Sequence, residues 1–272
     1  MAKIQSIYRY PIKGLTPERL DRTVLRPGQT VPGDRLYAIE NGPSGFDVMA
    51  PGYLAKTHFL MLMKNERLAT LRSAFDQDTH VLTIETPTLP SAASGGRLWE
   101  RRATAELRTA EGRAAIERFF AGFCADELRG PPKILNAPGH SFSDVARKVV
   151  SIINLASVAA VEAMVGTTVN PLRFRGNIYV DGWPAWSELD LVGRELTIGQ
   201  VGLELKCGQA VRLKVVKRIV RCAATNVDPD TALRDLNIPQ TLMRHLDHAD
   251  CGIYAEVVSG GDIAEADEIE LA

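Results

Sequence analysis

The 272-residue chain is poor in cysteine, and its thiols stand far apart in the sequence. They are Cys124, Cys207, Cys222 and Cys251. No two of them form a Cys-x-x-Cys pair, so their spacing encodes neither a structural zinc knuckle nor an iron–sulfur cluster. Widely separated thiols suit a reducing cytoplasm. If the protein transfers electrons, we expect the reductant to come from another chain.

The chain also lacks a strong net charge and a long apolar run. Its formal net charge of -1 at pH 7 argues against a global attraction to nucleic acid or to anionic membranes. The most apolar stretch, 149–166, is interrupted by polar residues, which leave too little uninterrupted apolar length to span a bilayer. The first residues have no apolar core of a signal peptide. We therefore expect a cytoplasmic protein without nucleic-acid or membrane partners.

Signatures of several enzyme classes are missing as well. The sequence has no Gly-x-Ser-x-Gly elbow of a serine hydrolase. It has no Gly-x-x-x-x-Gly-Lys-Ser/Thr loop and no Gly-x-Gly-x-x-Gly after a strand, so nucleotide-dependent chemistry has no support.

Short strands separated by Pro, Gly and Asp turns dominate the first half of the sequence. One helix interrupts them, because Ile116, Phe119, Phe120 and Phe123 recur at helical spacing and would form an apolar face. The predicted strands cover 4–10, 23–25, 35–40, 69–73 and 81–85. Turn residues around 130–143 favour a domain boundary between residues 130 and 131.

The second half is predicted to be a barrel or strongly curved sheet, because its strands are short and joined by tight Gly turns. A buried strand at 149–155 precedes a helix from about Ser157, as N-cap, to Val165, which Gly166 would end. Further strands are predicted at 175–182, 195–198, 201–206, 211–220, 252–258 and 268–271. The expected fold is mainly β with α (α+β), with a β-barrel-like domain at 1–130 and a second β-barrel domain with peripheral helices at 131–272.

Cys222 directly follows a basic, strand-like segment. Between 206 and 221 the charged residues are all positive: Lys206, Arg212, Lys214, Lys217, Arg218 and Arg221. A thiol that leaves a positive strand could be stabilised as the thiolate, and could then bind a soft metal or carry sulfur. The alternatives are an inert, small apolar cysteine and a solvated face of the barrel.

Other cations and polar groups stand at strand ends and turns. Lys13 lies in the turn after the first strand, and Arg35 follows a glycine turn. Arg173, Arg175 and Asn177 share one turn, where guanidinium and amide groups could bind a polar heterocycle or an anion. Ordinary solubilising residues and turn chemistry would explain the same pattern.

A histidine-rich run at 245–251 is a further candidate site. His245 and His248 precede Asp250 and Cys251, which is a possible zinc pattern. A polar helix end is the alternative, and we favour it because no further His or Cys has ligand-like spacing.

Taken in order, these motifs resemble the MOSC proteins, in which a MOSC domain follows a MOSC N-terminal β-barrel domain. The resemblance covers nearly the whole chain and rests on the following segments: Tyr-Pro-Ile-Lys-Gly at 10–14, Gly-Asp-Arg at 33–35, Asn-Leu-Ala-Ser at 154–157, Phe-Arg-Gly-Asn-Ile at 174–178, Arg-Cys at 221–222 with Asp-Pro-Asp-Thr at 228–231, and Gly-Ile-Tyr-Ala-Glu-Val at 252–257. The sequence departs from the family pattern at two positions: Ile219, where many relatives have cysteine, and Gly176, where proline is frequent.

The resemblance implies a pyranopterin molybdenum cofactor in a cleft between the two domains. It implies that Cys222 is the catalytic residue and ligates molybdenum. The implied contacts with the rest of the cofactor come from Lys13, Arg35, Ser157 near the phosphate, Arg173, Arg175 and Asn177. The loop 42–57 would shape access to the cleft.

Relatives similar to the amidoxime-reducing component reduce N-hydroxylated compounds or N-oxides, and the resemblance implies such a molybdenum-dependent reductase acting on a small-molecule substrate. Because the chain lacks the ferredoxin-like domain of some bacterial relatives, we expect a separate electron donor that is ferredoxin-, flavodoxin- or cytochrome-like. The alternative function is non-redox, with a persulfide on Cys222 or carriage of molybdenum cofactor to other enzymes.

Overall fold

The computed structural model describes residues 1–86, 102–199 and 210–272. The strands are β1 (Ala2–Arg9), β2 (Glu18–Leu20), β3 (Arg22–Leu25), β4 (Ala38–Asn41), β5 (Arg72–Phe75), β6 (Val81–Glu85), β7 (Arg102–Glu106), β8 (Pro132–Leu135), β9 (Val150–Asn154), β10 (Ile178–Asp181), β11 (Glu195–Gly199), β12 (Val211–Val220), β13 (Asp250–Ser259), β14 (Gly261–Ala264) and β15 (Glu268–Leu271). The α-helices are α1 (Ala110–Phe123), α2 (Leu155–Val165) and α3 (Ile238–Leu246). Short 3-10 helices lie at Lys56–His58, Glu66–Thr70, Pro171–Phe174, Ser187–Leu191 and Ala223–Asn226.

Seven strands form a closed barrel in the order β10-β9-β13-β12-β11-β15-β1, and β1 pairs with β10 to close it. Buried aliphatic side chains of alternate strand residues fill the interior, among them Ile4, Ile152, Leu213 and Ile253. Strand β2 pairs with the last three residues of β1, beyond those that pair with β15. The predicted mainly β fold with α and its barrel are confirmed.

The barrel takes one strand from the beginning of the chain. Strand β1 pairs with β10 and β15, and strand β4 pairs with β8. Strand pairing therefore crosses the predicted boundary at 130/131 in both directions, and the boundary itself stays a prediction.

A second core belongs to the first half of the chain. The β5-β6-β7 sheet and α1 enclose it, and the aromatic stripe Phe119, Phe120 and Phe123 is buried there, as the helical spacing predicts. Helix α1 begins after Thr109, whose side chain accepts a hydrogen bond from the Gly112 N–H.

Three predicted boundaries are wrong for local reasons. Helix α2 is capped by Asn154, whose side-chain oxygen accepts from the Ala156 N–H, so Ser157 lies inside the helix and not at its cap. The predicted strand at 69–73 is split between a 3-10 helix and β5, and the strand predicted at 35–40 begins only at Ala38. The predicted strand at 201–206 lies outside the described residues.

Gly166 ends α2 in the left-handed conformation (φ 74°), as predicted. In the described part of the chain, no helix combines the length and apolarity needed to cross a membrane.

Candidate functional site

A cavity of about 260 Å³ opens beside the end of β12, and its wall contains segments from both halves of the chain. Its charged and thiol-bearing lining residues are Lys13, Asp34, Arg35, Lys56, Asp144, Arg173, Arg175, Lys217, Arg218, Arg221 and Cys222. Cations therefore outnumber carboxylates around this space, which favours an anionic occupant.

Cys222 is placed in the cavity wall by the end of β12 and by the turn that follows. The buried Arg221 holds the strand end, because its Nη1 donates to the Phe174 carbonyl at 2.8 Å and its Nε donates to the Cys251 carbonyl at 2.7 Å. The Cys222 carbonyl accepts from the Thr225 N–H at 3.0 Å and from its hydroxyl at 2.9 Å. The thiol is consequently fixed at its backbone and partly exposed to the cavity.

The other two described cysteines are in different surroundings. Cys124 and Cys251 are fully buried in apolar clusters, and burial raises the pKa of each thiol to about 12. They are inert packing residues, whereas Cys222 faces a polar space.

Lys56 is the side chain that contacts the Cys222 thiol. Its Nζ lies 3.1 Å from Sγ and 4.0 Å from Asp144 Oδ2. Burial alone would lower the pKa of Lys56, but Asp144 and Cys222 outweigh it and raise the pKa above its ordinary value. The sequence placed this residue only in a loop expected to shape access, because its partner is 166 positions away.

Lys13 and Asp144 form an ion pair in the cavity wall. The Lys13 Nζ donates to the Asp144 carboxylate and, at 2.8 Å, to the Phe142 carbonyl. Burial lowers the pKa of Lys13 although Asp144 opposes this effect. Burial would raise the pKa of Asp144, but Lys13 and Lys56 lower it to about 2. Asp144 is therefore ionised at neutral pH and faces the Lys13 Nζ.

Arg35 and Arg175 meet over one aromatic ring. Their guanidinium carbons lie 4.5 and 4.2 Å from the centroid of the buried Tyr10 ring. The Arg35 Nη2 also donates to the Arg175 carbonyl at 3.1 Å, and Asp34 pairs with Arg35. Burial lowers the pKa of Arg175, and the nearby Arg35 guanidinium adds to this effect.

Asn177 lines the same wall, but its side-chain amide hydrogen-bonds to neighbouring strands. Its Oδ1 accepts from the Ser151 N–H at 3.1 Å and from the Ser151 hydroxyl at 2.8 Å, while its Nδ2 donates to the Tyr8 carbonyl at 3.1 Å. Asn177 thus joins β9 to β1 next to the turn that carries Arg175.

Arg173 is also committed to internal partners. Its Nη2 binds Asp228 at 2.8 Å and Asp235 at 2.7 Å, and its Nη1 donates to the Asn226 carbonyl at 3.1 Å. This network fixes the turn after Cys222 against the segment 171–175. The Nε of Arg173 is buried without a hydrogen-bond partner in the described structure, so this N–H could still donate a hydrogen bond.

Ser157 is not among the described residues that line the cavity, and its predicted place near the cofactor phosphate stays a prediction. It is fully buried in the first turn of α2. Its hydroxyl donates to Glu188 Oε2 at 2.9 Å and accepts from the Trp186 N–H at 2.8 Å. With both roles of the hydroxyl used, Ser157 anchors the Ser187–Leu191 turn to α2.

The remaining sequence candidates divide between the cavity and the surface. Lys217 and Arg218 line the cavity, whereas the Arg212 side chain is exposed and pairs with Glu195. The histidine-rich run ends α3 and starts β13, where Cys251 is buried. Within the described ranges, no group of three or more His, Cys, Asp or Glu side chains could hold a metal ion.

The cavity thus presents one accessible thiol together with several fixed cations. A single thiolate can complete the coordination of a metal that brings its own ligands, and the cations can neutralise an attached phosphate.

Two sequence profiles of one protein family match the chain. The profile of the MOSC N-terminal beta barrel domain matches residues 1–126, and that of the MOSC domain matches residues 138–270. The chain belongs to the MOSC proteins. The predicted boundary at 130/131 falls between the two matched ranges.

Similarity to solved structures is remote. The YuaD protein from Bacillus subtilis is similar over 99% of this chain and 94% of that chain, with 14% sequence identity and a TM-score of 0.44. The YiiM protein from Geobacillus stearothermophilus is similar over 45% of this chain and 53% of that chain, with 15% identity and a TM-score of 0.33. No curated protein matches the chain.

Proposed function

We propose that this MOSC protein binds the molybdenum cofactor in the cavity beside β12 and reduces N-hydroxylated or N-oxide substrates with electrons from a separate donor protein. One observation carries the proposal. The Cys222 thiol is partly exposed in a cavity whose wall also holds Lys13, Arg35, Lys56 and Arg175.

The residues present fit such a cofactor by their chemistry. Cys222 would supply the protein's sulfur ligand to molybdenum. A soft sulfur ligand suits a metal that already carries the two sulfurs of the pterin. The guanidinium groups of Arg35 and Arg175, with Lys13, would bind the phosphate of the cofactor. The unpartnered Arg173 Nε is one further donor in this wall. Asn177 would act indirectly, by fixing the turn that carries Arg175.

When bound, the cofactor would supply two-electron redox chemistry. For an amidoxime, the overall change consumes two electrons and two protons, breaks the N–O bond and yields an amidine and water. The residues of this chain would hold and orient the cofactor, while the open side of the cavity would admit the substrate.

The proposed activity is tested with protein from a host that makes molybdenum cofactor. Reduced viologen serves as the electron donor, benzamidoxime as the substrate, and benzamidine is quantified by chromatography. We expect product from the wild type and from Cys124→Ala, which removes a buried thiol outside the cavity, but only background from Cys222→Ala.

The alternative is a non-redox carrier of sulfur or of the cofactor. It predicts molybdenum-loaded wild type that forms no benzamidine, or a Cys222 peptide whose mass includes one additional sulfur atom. The first result would contradict the proposed reduction of N-hydroxylated substrates, and the second would favour the sulfur carrier.

A further inference from the structure

We infer that Lys56 is a positioning residue that donates a hydrogen bond to the cofactor-ligating sulfur of Cys222 and thereby raises the reduction potential of the molybdenum centre. This inference rests on the proposed function, because it concerns the same sulfur. It assigns a role to a residue from the first half of the chain at a site whose proposed metal ligand, Cys222, lies in the second half.

The geometry favours the sulfur as the partner of Lys56. Its Nζ lies 3.1 Å from Cys222 Sγ, but 4.0 Å from the nearest Asp144 oxygen. Only 28% of the Lys56 side chain is exposed, so its ammonium group is held at the cavity wall and does not extend freely into solvent. The ammonium group of a solubilising lysine would instead extend into solvent.

The loop that carries Lys56 is anchored on both sides. The Tyr53 hydroxyl donates to the Asp144 carbonyl at 3.1 Å, and Arg129 donates to the Thr57 carbonyl at 2.5 Å. Lys56 itself starts a 3-10 helix, and its carbonyl accepts from the Phe59 N–H at 3.1 Å. The backbone of Lys56 is thus fixed, and its side chain reaches the sulfur from a defined direction.

A cationic N–H donor at a metal-bound sulfur withdraws electron density from it. This stabilises the electron-richer, reduced state of the metal, so the potential rises. Removing the donor while the sulfur remains in place should therefore make the potential more negative.

The test compares molybdenum-loaded wild type with three variants. Lys56→Met removes the charge and the donor but keeps an unbranched side chain, Lys56→Arg keeps a cationic donor, and Lys64→Met removes an exposed lysine further along the same segment. Molybdenum content is measured by mass spectrometry, and the midpoint potential by a redox titration followed by electron paramagnetic resonance. We expect a more negative potential in Lys56→Met, and potentials close to that of the wild type in Lys56→Arg and Lys64→Met.

The outcomes separate the two proposals. A wild type without molybdenum overturns the proposed function. A loaded Lys56→Met protein with the potential of the wild type overturns only the role of Lys56. If Lys56→Met loses the metal, retention of metal and potential by Lys56→Arg supports the donor role, whereas loss in both Lys56 variants assigns Lys56 to packing and overturns it.

Discussion

Two arginines in the cavity wall have a left-handed backbone conformation, which residues other than glycine rarely adopt. Arg35 has φ 49° and Arg175 has φ 50°. Such conformations cost of order 1–3 kcal/mol each and persist only where the surroundings enforce them. Here the shared Tyr10 ring and the hydrogen bond from Arg35 to the Arg175 carbonyl enforce both. We interpret this strain as the cost of presenting two guanidinium groups in one small space.

The replacement of the frequent proline by Gly176 also has a local cause. A Cβ atom at this position would lie 2.3 Å from Cγ1 of the fully buried Ile153. In addition, the Gly176 N–H donates to the Tyr179 hydroxyl at 3.0 Å, and proline has no such donor. Gly176 therefore suits this core and leaves the neighbouring Arg175 in place.

Asp144 should make the stability of the protein depend on pH in the acid range. Its pKa is lowered from 3.8 to about 2, so its ionised form stabilises the fold fully above its ordinary pKa and loses this contribution as the pH falls from about 4 toward 2. We expect Asp144→Asn to be less stable than the wild type at pH 7, and the difference to shrink below pH 4. Urea unfolding between pH 7 and pH 2.5 measures it.

The exposed Asp262 provides the control for this experiment. Asp262→Asn should follow the wild type at every pH. An Asp144→Asn difference that stays constant from pH 7 to pH 2.5 would show that the ion pair with Lys13 does not stabilise the folded state.

The sequence predicted the cavity residues that stand in recognisable motifs. Cys222, Lys13, Arg35 and Arg175 all line the cavity. Lys56 was missed because its role arises from a contact across the fold and not from a local pattern. The sequence alone also does not show that the Ser157 hydroxyl is buried, because its partner, Glu188, is 31 positions away.

At the scale of elements, β12 changes the face that its side chains present. Val211, Leu213 and Val215 point into the barrel, whereas Ile219 packs against the core around α2 and α3. The pairing of β12 with β13 shifts register between Val215 and Lys217, as in a β-bulge. This irregularity brings the end of the strand, and with it Cys222, to the cavity. The alternation of apolar and polar residues in the sequence does not reveal this register shift.

In helix α1, the steric effect of a substitution at Gly112 can be compared with its effect on helix propensity. In an isolated helix, Gly to Ala is stabilising by about 1 kcal/mol. At Gly112, however, a Cβ atom would lie 2.0 Å from the Glu106 carbonyl oxygen. We expect Gly112→Ala to lower the free energy of unfolding by about 1–3 kcal/mol in urea titrations.

Arg118→Ala is the matched control, because Arg118 is exposed on the same helix. It should change the free energy by less than about 0.5 kcal/mol. A Gly112→Ala protein that is more stable than the wild type would contradict the packing of α1 against the end of β7.

At the scale of the whole molecule, the barrel depends on the first strand of the chain. Because β1 closes the ring between β10 and β15, a fragment of residues 131–272 lacks one of the seven strands. We expect this fragment to show no cooperative thermal unfolding by circular dichroism, whereas the full chain does. Addition of a peptide covering residues 1–25 should restore a transition. Cooperative unfolding of the fragment alone would contradict the interdependence of the two halves.

The fold class followed from the density of short strands and turns, but the path of the chain through the barrel did not. The sequences of strands β1, β6 and β12 look alike, and only tertiary packing decides that β1 joins β10. The family resemblance supplied the cofactor expectation, which composition and spacing alone left open between a metal site and an inert thiol.

The molybdenum content of the purified protein decides whether Cys222 ligates the cofactor. Wild type, Cys222→Ala and Cys124→Ala are produced in a host that makes molybdenum cofactor, and metal and pterin are measured per chain. We expect stoichiometric molybdenum and pterin in the wild type and in Cys124→Ala, and loss of molybdenum in Cys222→Ala. A wild type without molybdenum, or a Cys222→Ala variant with as much as the wild type, would contradict this expectation.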